Sequence, residues 1–123
     1  MPSHPDAMLT QFREMSLFAS LPPTILQQLA ERCLVRWYQP GQVVFQKNDP
    51  GASMYIIISG TVLIHDGEFE VVSLRESDYF GELSLLDEGL RSLSATCTQP
   101  AELAIISKSL FFEVLGPYPD VFQ

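Results

Sequence analysis

Apolar residues near the N-terminus recur at helical spacing in two segments. Between Met8 and Phe18 they come every three or four positions and share one face, which predicts a first helix. The run Ser20-Leu21-Pro22-Pro23 interrupts this pattern. Because proline is tolerated in a first helical turn, we predict a second helix from this point, with Ser20 as its cap. Its apolar stripe consists of Ile25, Leu26, Leu29 and Cys33.

From Leu34 onward the pattern changes to short runs of β-branched and aromatic residues separated by turn residues. The pair Asp66-Gly67 predicts a tight hairpin, because glycine supplies the positive φ that such turns need. A last helix is predicted from Ser107 to Leu115, with Ser107 as its cap and Gly116-Pro117 as its stop. The predicted strands cover residues 34–38, 42–46, 53–59, 61–65, 68–74, 92–97 and 101–106.

This order of elements indicates a mainly β fold with flanking helices. Many short antiparallel strands within about 70 residues are typical of a small barrel or a jelly roll. The length of 123 residues suits one domain. Hydrophobic residues make up 46% of the chain and charged residues 18%, which argues against disorder.

The charge balance restricts the classes of partner. Fifteen acidic residues against seven basic ones give a formal net charge of −8. Such a chain is not expected to bind nucleic acid, which needs basic patches, or to be drawn to anionic lipid. The sequence has neither an apolar run of transmembrane length nor a signal-peptide pattern, so we expect no direct membrane insertion. The expected location is the cytoplasm, or the cytoplasmic side of a larger membrane-associated protein. Two cysteines, Cys33 and Cys97, are expected to be buried thiols.

The stretch that carries chemistry is Phe80-Gly81-Glu82-Leu83-Ser84-Leu85-Leu86, followed by Arg91-Ser92. Gly81 allows close backbone approach, and a helix start after it exposes free backbone N–H groups that favour an anion. A short loop can bring Arg91 back to clamp the same anion. Glu82 would repel a phosphate but would accept a hydrogen bond from a hydroxyl group. A ligand with a phosphate beside a ribose hydroxyl fits this pair.

This stretch resembles the phosphate-binding cassette of the cyclic nucleotide-binding domain family, and Arg91-Ser92 stands where that family has an arginine and a small residue. The resemblance extends from about Phe18 to Phe122. Further positions that match are Pro40-Gly41, Gly51, Tyr55-Ile56-Ile57, Ser59-Gly60 and Glu102-Leu103. The sequence departs from the family pattern at Ser77, Leu93 and Ala95.

The resemblance implies an antiparallel β jelly roll with N-terminal helices and a C-terminal helix, which senses cAMP or cGMP, with cAMP the more expected ligand. By position, Arg91 would bind the cyclic phosphate and Glu82 the ribose 2′-OH. The other implied ligand-binding residues are Gly81, Leu83 and Ser84, through backbone N–H groups, and Ser92. Neither a metal nor a cofactor is implied, the nucleotide being the ligand.

The resemblance also implies an organisation for the chain. Residues 1–19 are expected to form an N-terminal lead and helix, and residues 20–123 the binding domain, with a C-terminal lid helix that is truncated or very short. The expected partner, besides the nucleotide, is an effector domain or protein outside this chain, and a homodimer is compatible with the sequence.

Two alternatives to a nucleotide sensor remain open. In the first, a degenerate domain keeps the fold as an interaction module without a nucleotide. The second, a cupin-like enzyme, needs several histidine ligands, and the chain has two histidines. Ser84 lacks the G-x-S-x-G context of a nucleophile, so no enzymatic activity is expected. His65 is expected at the surface, and Trp37 and the Phe111-Phe112 pair in the core or in helix packing.

Overall fold

The computed structural model describes residues 5–86 and 89–122. Three helical elements come first: α1 (Pro5–Glu14), a 3₁₀ turn (Ser16–Phe18) and α2 (Pro23–Arg32). The strands are β1 (Leu34–Tyr38), β2 (Val43–Phe45), β3 (Ser53–Ser59), β4 (Val62–Asp66), β5 (Phe69–Leu74), β6 (Tyr79–Phe80), β7 (Ser94–Cys97) and β8 (Ala101–Ser107). A one-turn helix α3 (Leu83–Leu86) lies between β6 and β7, and α4 (Lys108–Leu115) and a 3₁₀ turn (Pro119–Phe122) follow β8.

The strands form two antiparallel four-stranded sheets. Their strand orders are β1-β8-β3-β6 and β2-β7-β4-β5, so apart from β4 and β5 the neighbouring strands are not consecutive in the sequence. The β4–β5 hairpin turns at Gly67, which has the predicted positive φ of 58°. This is the expected β jelly roll with helices at both ends, and the predicted fold class is therefore confirmed.

The core has two parts because β3 is buried on both faces. Met54, Ile56 and Ile58 pack against the helical layer, while Ile57 between them packs against the second sheet. Successive side chains of a strand point to opposite faces, so one continuous apolar run serves both cores. The helical layer joins the first core through α1, α2 and α4, and among its fully buried members are Phe12, Leu29 and Leu115.

Several predicted boundaries need correction. The predicted helix 8–18 ends at Glu14. Met15, which precedes the separate 3₁₀ turn, and Phe18, which lies in it, keep the apolar spacing because both are buried in the same core. Ser20 is not the cap of α2, which is preceded by Pro22 without a side-chain cap. β7 begins at Ser94 instead of residue 92, and the two-residue strand β6 was not predicted.

Some predicted core residues lie at the surface. Trp37 is 46% exposed on the edge strand β1, and Phe112 is 47% exposed because the inward face of α4 is formed by its neighbours, Phe111 among them. Cys97 is buried, as predicted, but Cys33 is only half-buried. Burial raises the pKa of both thiols to about 11. Within the described residues, the helices are all too short or too polar to cross a membrane.

The cap of α4 provides a test of the local structure. Ser107 Oγ accepts a hydrogen bond from the backbone N–H of Leu110 at 3.1 Å, as the sequence predicted. Ser107→Ala is expected to lower the free energy of unfolding by about 1 kcal/mol, because this N–H loses its acceptor. Urea denaturation measures the change. The matched control is Ser109→Ala, which removes the 3.4 Å hydrogen bond between the two hydroxyls but leaves the Leu110 N–H its acceptor. Equal effects of the two substitutions would contradict a capping role for Ser107.

Candidate functional site

The predicted binding stretch lies at the turn between β6 and α3. Gly81 has a φ of 80°, a left-handed conformation that side chains disfavour. A Cβ at this position would also lie 2.9 Å from Nη1 of Arg91, so glycine meets both a conformational and a packing requirement. After the turn, Ser84 and Leu85 point inward while Leu83 is 66% exposed. The chain therefore passes closely over Arg91 before α3 begins.

Arg91 is held in place by its own backbone. The N–H of Arg91 donates to the carbonyl of Asp49, and the carbonyl of Arg91 accepts from the N–H of Asn48, both at 2.8 Å. Asn48 has a φ of 76°, a conformation that asparagine adopts more readily than most residues. The loop between β2 and β3 thus forms a short antiparallel pairing with the segment around Arg91. This pairing fixes the position of the Arg91 Cα.

The guanidinium group of Arg91 is surrounded by neutral acceptors. Nη1 donates to the carbonyl of Gly81 and to Oγ of Ser84, both at 3.0 Å, and Nη2 donates to the carbonyl of Ser53 at 2.8 Å. The ring of Phe45 lies against it, 4.1 Å from Cζ to the ring centroid. Arg91 is only 5% exposed, and its buried Nε has no hydrogen-bond partner among the described residues.

The hydrogen bonds of Arg91 do not neutralise its charge, and the carboxylates that act on it, Asp49 and Glu82, do so through their charge. Burial lowers the pKa of the Arg91 guanidinium, although such a group stays protonated in proteins. Glu82 is the nearby carboxyl in the predicted stretch, and burial raises its pKa, opposed by a backbone hydrogen bond and by the charge of Arg91. A buried cation beside an unpartnered donor is costly in free energy unless an anion approaches it.

A cavity of about 420 Å³ opens beside Arg91. Its size falls within the range of small-ligand sites, which is roughly 300–1,000 Å³. All six residues predicted from the sequence line it, which brings the whole predicted site together: Gly81, Glu82, Leu83, Ser84, Arg91 and Ser92. Ser84 and Arg91 form its buried floor, whereas Leu83 and Ser92 are exposed at its mouth.

The sequence did not indicate that three further residues belong to the site. Phe45 supplies the ring beneath Arg91, and Ser53 supplies a carbonyl acceptor. Gly51, noted only as a turn glycine, lies so close that a Cβ there would be 2.5 Å from Cβ of Ser84 and 3.0 Å from Nε of Arg91. All three come from the β2–β3 region, which is about 40 residues away in sequence, and only the folding of the two segments together reveals their role.

The side chains that an enzyme would need are either already hydrogen-bonded or distant from one another. Ser84 Oγ is bound by Nη1 of Arg91. His65, expected at the surface, is half-buried, with Nδ1 2.8 Å from the Gly67 carbonyl and Nε2 2.8 Å from Oγ1 of Thr96. Across the described part of the chain, His, Cys, Asp and Glu residues do not gather in any group of three or more that could hold a metal ion.

The pKa of Glu82 leads to a prediction about stability. A carboxyl group whose folded-state pKa is raised favours the folded state only at low pH, so its contribution falls as pH rises from the unfolded-state value of about 4.3 through the folded-state pKa. Glu82→Gln is therefore expected to raise the free energy of unfolding at pH 7.5. The gain stays below about 1 kcal/mol because the carboxyl is only partly buried.

Urea denaturation at pH 7.5 and at pH 4 measures this effect. The stabilisation should be present at pH 7.5 and nearly absent at pH 4, where the wild-type carboxyl is mostly protonated. Glu70→Gln, on the exposed strand β5, is the matched control and should change stability little at either pH. Loss of stability in Glu82→Gln at pH 7.5 would contradict the proposed burial cost.

Two facing sheets, a helical layer and a cavity beside a buried arginine define a ligand-binding β jelly roll. Residues 35–118 match the Cyclic nucleotide-binding domain family. Because the match covers more than half of the chain, the chain belongs to this family, as its sequence motifs suggested.

Individual proteins resemble the chain in sequence or in fold. A cAMP-dependent protein kinase regulatory subunit of Hypocrea atroviridis is 33% identical over 104 residues, which are 85% of this chain and 22% of the relative. The regulatory domain of Toxoplasma gondii PKA with cAMP superposes with a TM-score of 0.88 at 17% identity, over 95% of this chain and 47% of the other. The regulatory subunit of a cAMP-independent protein kinase A from Trypanosoma brucei gives 0.86 at 22%, over 95% and 43%.

Proposed function

We propose that this chain binds a 3′,5′-cyclic nucleotide in the cavity beside Arg91, with cAMP as its principal ligand. The observation that carries the proposal is the guanidinium of Arg91, which is 5% exposed, has only neutral hydrogen-bond acceptors and lines the cavity. A cyclic phosphodiester has a single negative charge, which matches one buried arginine. The ligand named for the Toxoplasma gondii structure, cAMP, supports the choice of nucleotide.

The other site residues have distinct roles in this proposal. Arg91 binds the phosphate together with backbone N–H groups of Gly81, Leu83 and Ser84, while Ser92 contacts the ligand at the cavity mouth. Glu82 accepts a hydrogen bond from the ribose 2′-OH, for which a carboxylate is a strong acceptor. The cost of burying Glu82 without a ligand is consistent with this role, because residues positioned for binding often reduce the stability of the free protein.

The proposal includes a regulatory output. The chain spans 22% of the length of the Hypocrea atroviridis relative, a kinase regulatory subunit. We infer that it acts as a sensor that controls an attached or associated effector and has no enzymatic activity of its own. Binding would shift the population between two conformations of the segment around α3 and α4, and the shift can be no larger than the difference in ligand affinity between them.

Thermal unfolding with and without nucleotide tests the binding. Ligand at 100 times its Kd is expected to add about 2.7 kcal/mol of stability, which raises the Tm by several degrees. The matched control is 5′-AMP, which has the same base and sugar but an open phosphate. No rise in Tm with either cAMP or cGMP at millimolar concentration would contradict the proposal.

A ligand-free interaction module is the second candidate, and one observation favours it. Three N–H groups of Arg91 are already bound by acceptors of the protein itself, so the arginine can serve to join three segments of the chain. The similar fold of the cAMP-independent Trypanosoma brucei protein is compatible with it. The same unfolding experiment separates the two functions, because only the sensor responds to the nucleotide.

A further inference from the structure

The hydroxyl group of Ser84 accepts a hydrogen bond from Arg91, the residue proposed to bind the phosphate. We infer that this hydroxyl sets the affinity of the site by competing with the ligand for Arg91, so that its removal makes nucleotide binding tighter. The inference rests on the proposed function and identifies what limits the affinity of that site.

The protein itself engages most of the donors of Arg91. An arginine side chain has five N–H donors. Nη1 has two of them and two acceptors, the carbonyl of Gly81 and Oγ of Ser84, each at 3.0 Å. Nη2 donates to the carbonyl of Ser53 at 2.8 Å. Nε is buried, and a Cβ on Gly51 would lie 3.0 Å from it, so the backbone of the β2–β3 loop shields this atom from a ligand.

Nη1 is the end of the guanidinium nearest the cavity. Both of its acceptors belong to residues that line the cavity, Gly81 and Ser84, whereas Ser53, the acceptor of Nη2, does not line it. A phosphate that enters the cavity therefore takes hydrogen bonds from Nη1 at the expense of these two contacts. The Gly81 carbonyl is part of the backbone, but the Ser84 hydroxyl is a side-chain group that one substitution removes.

The phosphate and the Ser84 hydroxyl are alternative acceptors for the same donor. The hydrogen bond between Arg91 and Ser84 stabilises the nucleotide-free state only, so breaking it reduces the free energy of binding. A typical net hydrogen bond corresponds to roughly a three- to tenfold change in an equilibrium constant. Ser84→Ala keeps the backbone N–H that the proposed function assigns to the phosphate, and it removes the competing acceptor.

Calorimetric titration of the whole chain with cAMP tests the inference. Ser84→Ala is expected to lower the Kd roughly three- to tenfold. In urea denaturation of the nucleotide-free protein, the same variant is expected to be less stable than the wild type, because the free state loses a hydrogen bond. A residue that only held the site together would lose stability and affinity at the same time. An unchanged or raised Kd for Ser84→Ala therefore overturns the inference.

Ser94→Ala is the matched control. Ser94 is a buried serine whose Oγ accepts a hydrogen bond from the backbone N–H of Lys47 at 2.9 Å, and it does not line the cavity. This variant should lose stability without any change in the Kd for cAMP. A gain in affinity equal to that of Ser84→Ala would show that the gain does not come from Arg91, and it would overturn the inference.

A double-mutant cycle tests the contact without any nucleotide. The loss of stability caused by Ser84→Ala should be smaller in a chain that already carries Arg91→Ala, because the hydrogen bond is then absent from the start. Equal losses in the two backgrounds would show that the hydroxyl does not act through Arg91, which also overturns the inference.

The outcomes separate this inference from the proposed function. If neither the wild type nor Ser84→Ala binds cAMP or cGMP, the proposed function fails and the inference falls with it. If the wild type binds and Ser84→Ala binds no more tightly, the proposed function stands and the inference alone is wrong. If Ser84→Ala binds and the wild type does not, the hydroxyl blocks the site, which supports the inference and contradicts the proposed function.

Discussion

Arg91→Ala is expected to weaken cAMP binding by about 2–5 kcal/mol, or roughly 30-fold to several thousand-fold in Kd. The phosphate would enter a site where a single buried cation is its main compensation, and without the guanidinium it would be desolvated and unpaired. Arg91→Lys should fall between the wild type and the alanine variant, because lysine keeps the charge but loses the planar fork of donors. Isothermal titration calorimetry at fixed salt measures the three affinities.

The stability of the nucleotide-free protein should change much less than the affinity. Arg91→Ala removes three hydrogen bonds to protein acceptors, but it also removes a buried charge and an unpartnered Nε, so the two effects oppose each other. Arg13→Ala on α1 is the control for loss of a positive charge elsewhere. If Arg91→Ala binds cAMP as tightly as the wild type, the phosphate site lies elsewhere in the same fold.

Gly51→Ala should damage the site without removing any group that contacts the ligand. The new Cβ would overlap Oγ of Ser84 and lie 3.0 Å from Nε of Arg91. Because Ser84 is buried on a one-turn helix, it cannot move away cheaply. We expect the free energy of unfolding to fall by about 1–3 kcal/mol, as in other overpacked sites, and cAMP affinity to fall roughly tenfold or more. Urea denaturation and calorimetry measure the two effects.

A double-mutant cycle provides the control. Ser84→Gly removes both atoms that the new Cβ would meet first, so the pair Gly51→Ala with Ser84→Gly should lose less stability than the sum of the single variants. Additive losses would show that Gly51 matters for a reason other than its contact with Ser84. The cycle therefore tests the packing itself, independently of whether a nucleotide binds.

Acidic residues are concentrated in the part of the sequence that contains the site, although the proposed ligand is an anion. Eight of the fifteen acidic residues lie between positions 66 and 88. Glu82 is one of them, and it lines the cavity and interacts with the charge of Arg91. The net charge of −8 therefore argues against polyanions as ligands, while a single buried arginine still accommodates one phosphodiester. The net charge alone would disfavour any anionic ligand, but the proposed function depends on the single arginine at the site.

The sequence by itself determined the fold class and the positions of the six candidate site residues. The strand 53–59, the hairpin at Gly67 and the cap at Ser107 were each predicted from local patterns, because they depend on neighbouring residues and on intrinsic φ preferences. The match of Phe80–Leu86 and Arg91 to a family motif predicted a set of site residues, and the structure brings these residues together around one cavity. These are properties that short stretches of sequence carry.

Only the tertiary structure decided what surrounds Arg91 and which apolar residues are exposed. Phe45, Gly51 and Ser53 meet Arg91 because the β2–β3 loop pairs with the segment before β7, a contact between positions about 40 residues apart. Trp37 is exposed because β1 became an edge strand, which its own hydrophobicity could not indicate. The spacing of apolar residues predicts which face of a helix or strand is apolar. Pairing between distant segments decides which residues that face contacts.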